Sequence, residues 1–285
     1  MLRVRPRPVP LRLLDDHDQP EVLDICAADP VANVFVESRV RALGLDPGRL
    51  GAQIWGFVNP EGQLTSLCYA GANLVPVNAT PAAIAAFAER AARYGRRCSS
   101  VVGPADQVAD LWSHLRQAWG SPRDIRPDQP LMAIEGSPAV PADPAVRRVR
   151  PDEIDILMPA CIAMFTEEVG VSPLGTDGGA AYRARVAELV RTGRAFARIE
   201  NNQVIFKAEV GAVTPGVCQV QGVWVRPEYR GRGLAAPGMA AVVTRARRTI
   251  APVVSLYVND YNVPGRATYT RAGFREVGRF MSVLF

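Results

Sequence analysis

The sequence predicts an α/β protein of two domains, and three observations predict it. Its 285 residues exceed what one ordinary domain of roughly 100 to 200 residues needs. Short β-like segments alternate with helical ones along both halves. Between the halves, Gly136 to Ala145 reads Gly-Ser-Pro-Ala-Val-Pro-Ala-Asp-Pro-Ala, and prolines among small residues forbid a regular helix or central strand there. The expected division is a first domain over 1–135, a linker over 136–145 and a second domain over 146–285.

In the first domain the pattern predicts strands over Gln53 to Val58, Leu64 to Ala70, Cys98 to Val102 and Leu131 to Glu135, with helices over Pro81 to Tyr94 and Asp106 to Trp119. In the second, a strand through Arg147 to Val149 leads to helices over Pro151 to Phe165 and Ala180 to Arg191, separated by a polar loop from Thr166 to Gly179. Strands over Ala195 to Glu200 and Val204 to Ala212 follow, joined by Glu200-Asn201-Asn202-Gln203 as a hairpin turn. Then come a strand over Val217 to Val225, a helix over Leu234 to Arg248, a strand over Val253 to Val258, a helix over Val263 to Ala272 and a last strand over Arg275 to Phe285. The helix from Leu234 carries Leu234, Met239, Val242, Val243, Ala246 and Ile250 at a three-to-four spacing that buries one face. The similar order in both halves suggests an internal duplication.

Composition narrows the class. The chain is 48% hydrophobic and 21% charged, enough apolar material for packed cores and too little charge for a disordered polyelectrolyte. Net charge is +5, yet Lys207 is the only lysine, and the arginines are scattered rather than clustered with stacking aromatics, so no nucleic-acid partner is expected. Cys26, Cys68, Cys98, Cys161 and Cys218 are widely spaced, which reads as buried thiols with neither disulfide nor metal site. The start, Met-Leu-Arg-Val-Arg-Pro-Arg-Pro, lacks the apolar stretch of a signal peptide, and no later run suits a membrane span, so a cytoplasmic protein is expected.

The chemistry concentrates in Gly222 to Ala235, Gly-Val-Trp-Val-Arg-Pro-Glu-Tyr-Arg-Gly-Arg-Gly-Leu-Ala. A hydrophobic strand stops at Pro227, passes through a Gly-rich arginine loop and enters a long helix. Such a loop directs several backbone N–H groups and the helix dipole at one small volume, the way a chain holds phosphate without a metal. Gly231 and Gly233 let the backbone approach an anion closely. Neither a Gly-Lys-Ser/Thr loop nor a dinucleotide fingerprint is present.

Arg230, Gly231, Arg232, Gly233, Leu234 and Ala235 resemble the acyl-CoA loop of the GNAT acetyltransferase superfamily, and Asn262, Tyr269, Gly273 and Phe274 resemble that family's second motif. The resemblance covers about Val146 to Phe285 and implies a fold of mixed, mostly antiparallel sheet flanked by helices, here as two tandem GNAT-like domains. It implies that Val223, Trp224 and Val225 pair with the pantetheine arm of acetyl-CoA, that Arg230 to Ala235 hold its pyrophosphate and that Asn262 lies on the pantetheine side. It also implies that Tyr269 protonates the departing thiolate. The tandem arrangement is similar to that of the mycothiol synthases.

Where many GNAT enzymes carry a glutamate base this chain has Gln219, so the base must come from Glu209 on the preceding strand or from Glu167 and Glu168, which also stand where the family builds its acceptor pocket. The first domain has no such loop: Val77-Asn78-Ala79-Thr80-Pro81 occupies the corresponding place without a glycine pair or arginine, so a degenerate half without cofactor is expected. The expected activity is transfer of acetyl from acetyl-CoA to a primary amine of a small molecule or protein, in a ternary complex, with a homodimer left open. Two alternatives stand beside it: a non-catalytic acyl-CoA sensor, suggested by the missing glutamate, and a Fem-type aminoacyl transferase, suggested by the basic charge.

Overall fold

The computed structural model describes residues 11–175 and 178–285; the reading of the arginine-rich start and of Thr176 and Asp177 in the polar loop lies outside the described residues. Contacts divide the chain into two units. One reaches to Leu131 and also takes in Gly278–Phe285; the other is Met132–Val277.

The first unit runs β1 (Leu11–Leu13), α1 (Gln19–Cys26), α2 (Val34–Leu43), a single-turn α3 (Pro47–Leu50), then strands β2 (Gln53–Val58), β3 (Leu64–Ala70) and β4 (Asn73–Val77). It continues with α4 (Pro81–Tyr94), β5 (Ser100–Pro104), α5 (Ala105–Trp119) and β6 (Asp124–Ile134). β1 to β4 pair in antiparallel succession, and β4 then pairs parallel with β5. α4 starts where the sequence has a cap: the Thr80 side chain accepts from Ala83 N at 3.3 Å and Pro81 fixes the first turn.

The second unit repeats this order as β7 (Arg147–Arg148), α6 (Ile154–Val169), α7 (Ala180–Arg191), β8 (Ala195–Glu200), β9 (Gln203–Val213), β10 (Val217–Val225), α8 (Ala235–Thr249), β11 (Val253–Tyr257), α9 (Val263–Ala272) and β12 (Arg275–Leu284). Again the early strands are antiparallel, and β10 pairs parallel with β11. The β8–β9 hairpin turns on Asn201 and Asn202, both at positive φ, the backbone a two-residue turn of this twist requires. The fold is therefore mixed α/β, with mostly antiparallel sheet and flanking helices, built from the same unit twice.

β6 and β12 each carry residues of both units. Phe280 to Leu284 pair antiparallel with Pro104 to Ser100 of β5, so the first unit's sheet is completed by the last strand of the chain. The proline-rich segment 136–145 forms neither helix nor strand, as its composition demands, and it belongs to the second unit. Ala139 N donates to Ala272 O at 3.0 Å, Asp143 N to Pro237 O at 3.0 Å, and the Asp143 carboxylate pairs with Arg198.

Two apolar layers cover the faces of the second unit's sheet. Phe206, Ala208, Val210, Cys218 and Val220 pack with Met239, Val242 and Val243 of α8. Ala195, Ala197, Val204 and Trp224 pack with Leu157, Cys161, Tyr182 and Val186 of α6 and α7. All five cysteines are buried and free, and burial pushes the Cys26, Cys161 and Cys218 thiols up to about 12. No helix among the described residues is long and apolar enough to cross a membrane.

Candidate active site

The site is set by what β10 does along its length. Its first residues, Val217, Cys218 and Gln219, pair with Val253, Val254 and Ser255 of β11, while β10 runs on to Val225. On its other side β10 faces β9 with Gln221 opposite Glu209 but Trp224 opposite Lys207, so one extra residue is inserted. Gly222 sits in that bulge at φ +59. Because strand faces alternate with period two, the insertion reverses them. Cys218 and Val220 pack toward α8, and after the bulge so do Val223 and Val225, while Trp224 turns toward α6.

Under the bulge lies a buried polar cluster. Lys207 is fully buried, and its ammonium donates to Glu209 Oε1 at 2.5 Å and to the Gly222 carbonyl at 3.1 Å. Glu209 also accepts from Cys161 Sγ at 3.5 Å. Burial alone would raise the Glu209 carboxyl, but the Lys207 ammonium outweighs it and holds the group below its usual range. Glu209, expected as a base, is thus an ionised partner of the chain's only lysine and has little appetite for a proton.

Beyond Val225, Pro227–Tyr229 make one tight turn and the chain enters the loop Arg230 to Leu234 ahead of α8. Gly231 and Gly233 have φ +74 and +75, a conformation that costs other L residues roughly 1–2 kcal/mol. A Cβ at either would point into open space. The backbone N–H groups of Gly231, Arg232 and Gly233 have no partner among the described residues, and they lie at the positive end of the α8 dipole. This is the geometry of an anion cradle, and it suits a pyrophosphate. Arg230 is held in place: its Nε donates to Val225 O at 2.9 Å and its Nη2 to Glu167 Oε2 at 2.7 Å. The other Glu167 oxygen accepts from Trp224 Nε1 at 3.1 Å. Arg232 stacks on Tyr229, 5.0 Å from the ring centre.

Tyr269 lies on α9, 8% exposed and edge-on to Phe274. Burial first, and the Glu168 carboxylate second, push its phenol above its usual range. Glu168 accepts from Asn259 Nδ2 at 3.1 Å, and Asn259 is itself buried just past the end of β11. Asn262 caps α9, its side-chain oxygen accepting from Gly265 N at 3.0 Å. The structure thus joins Glu167 to Trp224 and Arg230, and Glu168 to Asn259, while the Glu168 charge acts on the Tyr269 phenol. It sets Glu209 apart from both, in the Lys207 cluster. Two residues that the sequence reading did not single out, Lys207 and Asn259, hold these groups. A lone lysine two positions from a glutamate inside an apolar strand was the available signal for the first.

Comparison with known proteins agrees with this geometry. Residues 180–274 match the family described as Acetyltransferase (GNAT) family, and residues 52–157 match a domain of unknown function (DUF4081). No curated protein matches the chain. Among solved structures it is similar to a GNAT-family acetyltransferase from Colwellia psychrerythraea, at 10% identity and TM-score 0.57, over 96% of this chain and 99% of that one. It is also similar to a tandem GNAT protein from the clavulanic acid biosynthesis pathway, at 17% identity and TM-score 0.55, over 96% and 98%. A third is a GCN5-related N-acetyltransferase from Sphaerobacter thermophilus, at 17% identity and TM-score 0.57, over 95% and 93%. With the loop, the bulged strand and the element order in place, the chain has the tandem GNAT fold, and residues 180–274 of its second unit match the GNAT acetyltransferase family.

Proposed function

We propose that the chain transfers acetyl from acetyl-CoA to a primary amine, on a small molecule or a protein, by direct attack in a ternary complex. The observation that carries this reading is the open glycine loop at the start of α8, beside the part of β10 that extends past its ladder with β11. The thioester supplies an activated acyl group, and the rest is done by the chain. Arg230, Arg232 and the N–H groups of Gly231 to Ala235 hold the pyrophosphate. The backbone of Val223 to Val225 pairs with the pantetheine arm, with Asn262 on the same side. Tyr269 returns a proton to the thiol sulfur.

Glu168 is exposed and its charge is felt at the Tyr269 phenol, so it takes the amine proton or hands it to water. Glu167 fixes Arg230 and borders the acceptor. Glu209, neutralised by Lys207, keeps the bulge in shape rather than acting as the base. That neutralisation, together with Gln219 and Gln221 on β10, also favours a second reading, a non-catalytic acyl-CoA sensor.

One titration separates these readings from their failure. Calorimetry with acetyl-CoA is expected to show micromolar binding by the wild type and none by Gly233→Glu, which places a carboxylate in the cradle. Turnover with any member of an amine panel selects the transferase; binding without turnover selects the sensor. No binding by the wild type sinks both.

A further inference from the structure

The first unit has a cavity of about 460 Å³, within the roughly 300–1,000 Å³ typical of small-molecule sites. It does not lie at the turn from Val77 to Pro81, where a cofactor loop would be. Its walls include Arg90 and Tyr94 in the last turns of α4, Arg97, Trp55 of β2 and Trp119 at the end of α5. The length of α4, about 20 Å at 1.5 Å per residue, separates the two places.

Three features of the cavity agree with one another. Its lining contains two guanidinium groups and no carboxylate. Among the described residues neither Arg90 nor Arg97 forms an ion pair, and Glu89, on the same turn as Arg90, is taken by Arg93 at 2.7 Å. The walls are aromatic: the Arg90 guanidinium carbon is 5.1 Å from the ring centres of both Trp55 and Tyr94, and that of Arg97 is 6.0 Å from Tyr94. Two donors wait for acceptors. Arg90 Nε and Trp119 Nε1 are buried without a partner among the described residues, whereas Trp55 Nε1 is satisfied by Gln53 Oε1 at 3.0 Å. The C-terminal ends of α4 and α5 bring carbonyl dipoles to this side, but two full guanidinium charges exceed the roughly half-charge of each helix end.

We infer that this cavity is a binding site for a small flat anion, an aromatic ring bearing a carboxylate or phosphate. The ring lies against the Trp and Tyr faces, the anionic group takes the guanidinium groups of Arg90 and Arg97, and Trp119 Nε1 donates to an oxygen or ring nitrogen of the ligand.

The test uses the whole protein with its tryptophan indoles labelled for NMR, titrated with 2-naphthoate and with AMP, each beside an uncharged counterpart, 2-naphthamide and adenosine. At least one anion is expected to bind at least about tenfold more tightly than its counterpart and to shift the Trp119 indole resonance. The Trp224 resonance reports on the second unit, so AMP entering the acetyl-CoA loop is told apart. Preference for AMP assigns the phosphate, and preference for naphthoate the carboxylate. Arg90→Met is expected to weaken binding about tenfold, and Trp119→Phe, which keeps a ring and loses the N–H, several-fold, with acetyl-CoA titration unchanged. The wild-type comparison of charged and uncharged probes needs no variant to fold. Equal binding of anion and counterpart, or no Trp119 shift at about 5 mM of either anion, overturns the inference.

Discussion

Burial and the Glu168 carboxylate both disfavour the phenolate of Tyr269, so its phenol keeps its proton to higher pH than an ordinary tyrosine. Under the proposed function, Tyr269→Phe is expected to lower kcat about a hundredfold and leave the KM for acetyl-CoA nearly unchanged. The wild-type rate profile should have no alkaline limb from this group below about pH 10. A fall in kcat smaller than about threefold would remove Tyr269 from the chemistry. Away from the site, Glu153 shows the opposite shift. Hydrogen bonds from Arg147 at 2.6 and 2.7 Å, with a further one from Arg150 N, hold its carboxyl down from 4.5 to about 2. A depressed carboxyl stabilises the fold above its unfolded value and loses that contribution as pH falls toward its folded value. Glu153→Gln is therefore expected to cost on the order of 2–3 kcal/mol at neutral pH, reduced from the full shift because the arginines are partly open to solvent. In urea melts the difference from wild type should shrink between about pH 4.5 and 2; a constant difference would assign the loss to packing instead.

Among the elements, close approach of α8 to β9 is what Gly238 allows: a Cβ there would meet the Phe206 ring at 2.8 Å. Gly238→Ala, elsewhere a helix-favouring change, is expected to destabilise by about 1–3 kcal/mol in chemical denaturation. A stabilised variant would show that the helix can slide. The second unit's elements were readable to the residue at Ala180–Arg191, Ala195–Glu200, Val217–Val225 and Val263–Ala272, because Gly, Asn or Pro stands at their ends. In the first unit, α1 and α2 were missed, and so was β4, whose Pro76 breaks the pattern of a paired strand although it lies opposite Cys68 in the sheet. The loop of the site was legible because its chemistry is local. The partners of its groups were not: Arg230 meets Glu167, and Asn259 meets Glu168, across separations that only the fold closes. Nor does a strand pattern disclose the inserted residue at Gly222, since a bulge is visible only against the neighbouring strand.

For the molecule as a whole, the decisive feature is the return of Gly278–Phe285 to the first unit. Met281 and Val283 are buried there, and Phe285 stands edge-on to Trp112 and Trp119. Each such side chain contributes roughly 1.5–3 kcal/mol by burial, so the segment accounts for much of what a domain of ordinary stability has to lose. Removing Gly278–Phe285 is expected to abolish the cooperative melt of the first unit and red-shift its tryptophan emission; an unchanged melt would show that β5 tolerates an open edge. The same feature fixes a timetable for biosynthesis. On a ribosome the residues to Leu131 emerge early, yet the strand that seals their sheet leaves the exit tunnel only after the entire second unit has been made. During that interval the edge of β5 is bare, a template for another nascent chain, and the half of the protein made first is the half finished last.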